Sequence, residues 1–254
     1  MSGSARRISL EPAYLLHHYP WRDSSRILEL LTRSHGRVSV FARAARRGGS
    51  TLPAALQPFA ELLVSFSLRA EAGQLTGAER SAASAAPLAG ERLMSGFYAN
   101  ELLIKLLPRG DPHPRLYAAY SALLADLAAP ASEPARGLRV FEKRLLEELG
   151  YGLHLETEPG SGRPVDAARS YRFRVDSGPE LLDGVAEGSL VFCGASLLAL
   201  AAETLVEARS LADAKRLLRA ALDQCLDGRE LRTREVALAM RAHGRDAGVA
   251  RQDP

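Results

Sequence analysis

The stretch Glu61-Leu-Leu-Val-Ser-Phe-Ser-Leu68 decides the first part of the fold. Leu62, Val64, Phe66 and Leu68 alternate with Leu63, Ser65 and Ser67, a period of two that puts an apolar face on one side of a strand. Toward the N-terminus, Ala13–His18, Arg26–Leu31 and Arg37–Ala42 are short segments of the same kind, and Gln74–Glu79 follows on the other side. Pro, Gly, Ser and Asp separate them. Five short strands predict a small closed barrel. An OB-fold is the natural five-stranded candidate, and strand count alone leaves an SH3-like barrel open.

From about Glu91 the period changes to that of helices. Arg92–Leu107, Leu116–Leu127 and Leu138–Leu149 are rich in helix formers and lie between the breakers Pro108, Pro112, Pro114, Pro130 and Pro134. In the third, Leu138, Phe141, Leu145 and Leu149 form an apolar stripe, and Gly150 stands where a left-handed C-cap wants glycine. Residues 151–192 lose this period, with only Tyr171–Val175 and Ser189–Phe192 extended, as in an insertion carrying a small hairpin. Helical spacing returns over Ala195–Glu207, Leu211–Cys225 and Thr233–His243, and the tail after Gly244 is expected to fray. The fold class expected is therefore α+β. An OB-fold barrel domain covers 1–80, a mainly helical domain covers 81–244 with its irregular insertion at 150–194, and a flexible tail covers 245–254.

The formal charge is only +3, yet lysine supplies just Lys105, Lys143 and Lys215 of 33 basic residues. Arginine presents a planar fork suited to phosphate and stacks on bases, although a GC-rich coding bias produces the same preference. Position says more than total: residues 1–50 hold nine arginines against Glu11, Asp23 and Glu29, a local +6 that leaves −3 for the remainder. Such asymmetry is the electrostatic footprint of a polyanion-binding segment.

Within that segment, Arg26, Arg33, Arg37 and Arg43 are expected to line one rim of the barrel, with Arg46 and Arg47 in a loop softened by Gly48 and Gly49. A solvated barrel surface is the bland alternative. Trp21 and Tyr19 flank Pro20 beside Arg22, an arrangement that stacks bases without reading sequence if the ring is exposed, and that packs if it is not. Arg232 and Arg234 are candidates for a second strand, or else pair with Glu230 and Glu235 at a helix start.

Other chemistries find little support. Cys193 and Cys225 form no CxxC pair, and His17, His18, His35, His113, His154 and His243 are scattered without ligand spacing, so neither disulfide framework nor metal site is expected. Pro159–Pro164 (PGSGRP) matches neither GxGxxG nor a P-loop and is read as a turn. No GxSxG is present, and Asp166, Asp176 and Asp183, the acids a metal-dependent phosphodiesterase would need grouped, fall in the irregular insertion; no enzyme activity and no cofactor are expected. The longest apolar run, Ala195–Ala202, is too short to span a bilayer, and a cytoplasmic, nucleoid-associated protein is expected.

The order of these features, together with YLLHHYPWRDSSRILELLTRSHG from Tyr14, LQPFAELLVSF from Leu56, NELLIKLLPRGDPHPRLYAAY from Asn100, LRVFEKRLLEELGYGL from Leu138, GSGRPVD from Gly160 and LDGRELRTRE from Leu226, resembles the RecO family of DNA repair and recombination mediators. The resemblance implies an OB-fold that binds single- and double-stranded DNA, and annealing of strands coated by single-strand binding protein. It implies work with RecR in loading RecA, and docking of the acidic C-terminal tail of single-strand binding protein on the helical domain. For that docking, Arg139 is the candidate contact. Many relatives carry a four-cysteine zinc motif in the insertion; here Glu156–Gly162 holds no cysteine, as in the zinc-free proteobacterial branch. An RNA-binding OB-fold protein without catalytic activity is the alternative, since RNA differs at the 2′-OH.

Overall fold

The computed structural model describes residues 6–21, 25–43, 56–69, 72–82, 86–182, 188 and 190–249, with backbone alone for 69, 72 and 241–249. Five strands come first: β1 (Arg6–Trp21), β2 (Ser25–Thr32), β3 (Gly36–Arg43), β4 (Glu61–Arg69) and β5 (Ala72–Arg80). They close in the order β1-β2-β3-β5-β4, with β4 returning to β1. All neighbours are antiparallel except β3 and β5, which pair in parallel over Ser39–Phe41 and Ala72–Gln74. The barrel is OB-like. Its interior follows the predicted alternation: Leu62, Val64 and Phe66 of β4 meet Ala13 and Leu15 of β1, Leu28 and Leu30 of β2, and Val38 and Val40 of β3, all buried.

β1 is longer than the sequence reading made it because it bulges twice, between Ile8 and Glu11 and between Leu15 and His17. Pro12 lies just beyond the first bulge, with Leu10 at a φ of 52°, where a missing ladder N–H costs least.

The helices are α1 (Gly90–Leu106), α2 (Pro114–Ala128), α3 (Pro134–Glu148), α4 (Gly194–Ala201), α5 (Ala208–Leu226) and α6 (Arg232–Val249). α3 opens at Pro134, four residues before the predicted start, because proline is suited to the first turn of a helix. α4 stops at Ala201, where Glu203 adopts a φ of 58°, and α6 continues to Val249 instead of ending at Gly244. The insertion holds a three-stranded sheet, not a hairpin: β6 (Ser170–Arg174) lies between β7 (Gly178–Leu181) and β8 (Val191–Cys193). β7 escaped sequence reading because its four residues begin Gly-Pro. The PGSGRP segment is a turn as expected, closed by Gly162 N–H donating to Glu158 O at 2.8 Å.

The chain forms two compact units. The first comprises Met1–Tyr117, Leu127–Pro130 and Arg229–Pro254; the second comprises Ala118–Asp126 and Ala131–Gly228. In the first, α1 backs the barrel, with the buried Asn100 amide donating to Leu16 O at 2.9 Å and Tyr117 donating its hydroxyl to Glu61 at 2.9 Å. Burial and Glu61 together push the Tyr117 hydroxyl far above the ordinary phenol range. In the second, α5 packs Leu217, Leu218, Ala221 and Leu222 into a core shared with Phe141 and Leu145 of α3.

Candidate nucleic-acid interface

Strand register builds the site. Across β1, β2 and β3, Trp21 is level with Ser25 and Arg43, Tyr19 with Ile27 and Phe41, and His17 with Glu29 and Ser39. These positions alternate with inward-pointing Leu28, Leu30, Val38 and Val40, so the three rows face outward. Trp21 is 44% and Tyr19 43% exposed. The Trp21 ring meets Phe41 edge-on at 5.9 Å, and His17 meets Tyr19 at 4.5 Å. The result is two aromatic pairs in successive rows of one outward sheet face, an aromatic strip whose His17, Tyr19 and Trp21 rings are exposed to solvent. Burial and the neighbouring His18 lower the pKa of His17 against the pull of Glu29, so its ring favours the neutral, stacking form.

The arginines fall differently from the single rim expected. Arg43 is exposed and outward at one end of the strip. Arg26 is exposed at the same end, but it shares the parity of Leu28 and Leu30 and so marks the barrel mouth. Arg33 is exposed in the β2–β3 turn, at the opposite end of the hairpin. Arg37 is drawn inward: its Nη1 donates to Glu29 at 2.8 Å and its Nε to Leu107 O at 3.1 Å, leaving the side chain 12% exposed. The physical reason is Glu29 itself, a carboxylate 1% exposed that must be paired. Arg46 and Arg47 lie outside the described residues.

At the start of α6, Glu101 of α1 accepts the backbone N–H of Arg232 at 3.0 Å and of Thr233 at 2.9 Å, and the Thr233 hydroxyl at 2.7 Å. Burial works against that charge, but these bonds and Lys105 outweigh it and hold the carboxyl below its usual range. Glu101, more than Glu230 or Glu235, thus organises this helix start through the backbone. Arg232 keeps an exposed side chain, and the Arg234 guanidinium lies 5.8 Å over the Tyr98 ring. Arg139, the expected partner contact, is instead buried: it pairs with Glu142 at 2.9 Å with its side chain 9% exposed. The α3 stripe is displaced from that predicted, so that Arg139 and Glu142 face inward with Phe141, Leu145 and Leu146.

Sequence reasoning missed Phe41, His17 and Arg109. The first two are visible only once three strands are in register. Arg109, in the segment after α1, donates to Glu29 at 2.5 Å beside Arg37. Among the described residues no group of three or more His, Cys, Asp or Glu is gathered as a metal ion would need, and no helix is long and apolar enough to cross a membrane. Charge divides with the compact units: 21 basic and 13 acidic residues in the first, 12 and 17 in the second.

Residues 7–83 match the family model described as Recombination protein O N terminal, and residues 88–235 match Recombination protein O C terminal. The chain belongs to the RecO family. Similar proteins include the DNA repair protein RecO of Methylococcus capsulatus, 42% identical over 92% of this chain and 95% of that protein. The DNA repair protein RecO of Alkalilimnicola ehrlichii is 44% identical over 93% of this chain and 92% of its own length. That of Coxiella burnetii is 42% identical over 91% and 98%. The RecO family is one of DNA repair and recombination, and its two models meet between β5 and α1 of this chain.

Proposed function

We propose that this RecO-family chain binds single-stranded and double-stranded DNA without breaking bonds and serves as a recombination mediator. Strands coated by single-strand binding protein are annealed on it, and with RecR it assists RecA loading. The observation that carries this reading is the outward strip of His17, Tyr19, Trp21 and Phe41 ending at Arg43. Base stacking on such rings contributes about 1–3 kcal/mol per base and ignores sequence, which suits a protein that must handle any strand. Arg43, with Arg26 at the neighbouring barrel mouth, supplies cations for the backbone, and Arg46 and Arg47 belong to the same proposed set. Arg33 sits at the far end of the hairpin.

A second strand falls to Arg232 and Arg234, which belong to the same compact unit as the barrel. The surplus of positive charge in that unit also favours it for the acidic tail of single-strand binding protein, whereas Arg139 is buried against Glu142.

The test is fluorescence anisotropy of labelled oligonucleotides across a salt series. Trp21→Ala should weaken single-strand binding severalfold with an unchanged salt slope, and Arg43→Ala should make the slope of log K against log salt shallower by roughly 0.7. Equal binding by both variants and wild type would refute the strip as the interface. Stacking is blind to the sugar, so RNA competing better than DNA of one sequence would favour the RNA-binding alternative.

A further inference from the structure

Glu29 carries one negative charge and receives two guanidinium groups. Arg37 neutralises it, committing Nη1 to the carboxylate and Nε to Leu107 O. Arg109 is the surplus cation: it reaches Glu29 through Nη2, and its side chain remains 49% exposed. The backbone that carries it is fixed, since residues 37 and 109 form a bridge and Gly110 N–H donates to Arg37 O at 2.9 Å. A guanidinium offers five N–H donors in a planar fork, so one bond to Glu29 leaves most of them for a ligand. A side chain already held in place also loses less entropy on binding.

Arg109 continues the aromatic strip. Arg37, Ser39, Phe41 and Arg43 share the outward parity of β3, so the seat of Arg109 on Glu29 beside Arg37 puts it at the end opposite Arg43. Arg109 bridges Arg37 through its backbone and reaches Glu29, level with Ser39, through its side chain, so four to six residues of strand separate the ends, about 13–20 Å at ~3.3 Å per residue. Arg33, exposed in the adjoining turn, adds a cation here; Asp111 is the exposed counter-charge, 3.3 Å from His113.

We infer that Arg109 is a second anchor for a nucleic-acid phosphate, holding the far end of a single strand laid along the strip from Arg43. This rests on the function proposed above and adds a residue, a direction and a minimum length to it. Oligothymidylates of graded length, titrated across salt, test it with wild type, Arg43→Ala, Arg109→Ala and Arg109→Gln. On strands too short to span the strip, the Arg109 variants should match wild type. On longer ones they should lose severalfold in affinity, with slopes shallower by roughly 0.7. Gln keeps a donor for Glu29 while removing the charge, so a folding defect in the Ala variant does not blunt the test. Wild-type slopes for Arg109→Gln at every length, beside an impaired Arg43→Ala, overturn the anchor alone. If Arg43→Ala also binds normally, the strip itself has failed.

Discussion

Glu203 shows how one side chain sets a local structure. At a φ of 58° just after α4, it accepts Arg144 Nε at 3.0 Å, Arg144 Nη2 at 2.6 Å and Lys143 Nζ at 3.2 Å. Burial raises its pKa, but these cations outweigh burial and leave it below the ordinary 4.5. A depressed carboxylate stabilises the fold above its unfolded pKa and loses that contribution as pH falls through the folded value. Glu203→Gln, equally strained in backbone, should therefore cost about 0.5–1 kcal/mol at pH 7, discounted for the exposure of Arg144. Thermal melts at pH 7 and pH 3 check this: the wild-type advantage should shrink at the lower pH, and a constant difference would contradict it. None of this is legible in the sequence, where Glu203 falls inside a predicted helix and Arg144 lies 59 positions away.

At the scale of the element, the β2–β3 hairpin is positioned by a close backbone approach. Gly36 has a φ of 65°, and a Cβ there would lie 2.0 Å from Asp111 O. Gly36→Ala should cost more than about 2 kcal/mol in urea unfolding, adding a backbone penalty to a displaced segment. Gly77, whose added Cβ meets nothing nearer than 3.9 Å, provides the contrast and should tolerate Ala far better. The strands themselves were legible because period two in Leu62, Val64 and Phe66 is a local signal. The strip was half legible: Trp21 stood out beside arginine, whereas Phe41 and His17 join it only through cross-strand register. Arg37 and Arg139 misled because a sequence shows charge but not the buried carboxylates, Glu29 and Glu142, that claim it.

For the whole molecule, periodicity identified α6 as a helix without saying which unit it completes. Glu101 supplies that link, capping α6 from α1. Glu101→Ala removes the cap, worth about 0.5–2 kcal/mol by analogy with other N-caps. Hydrogen exchange should show faster amides at Arg232 and Thr233 with barrel strands unchanged; slow exchange at both would mean the cap is dispensable. The return of α6 to the unit that holds β1 also bears on biogenesis. Translation delivers the barrel first, then all of the other unit, and only afterwards the segment that covers α1. A ribosome paused before Arg229 would thus display a finished barrel with one flank of its backing bare, and that interval is when a holding chaperone would have most to grasp.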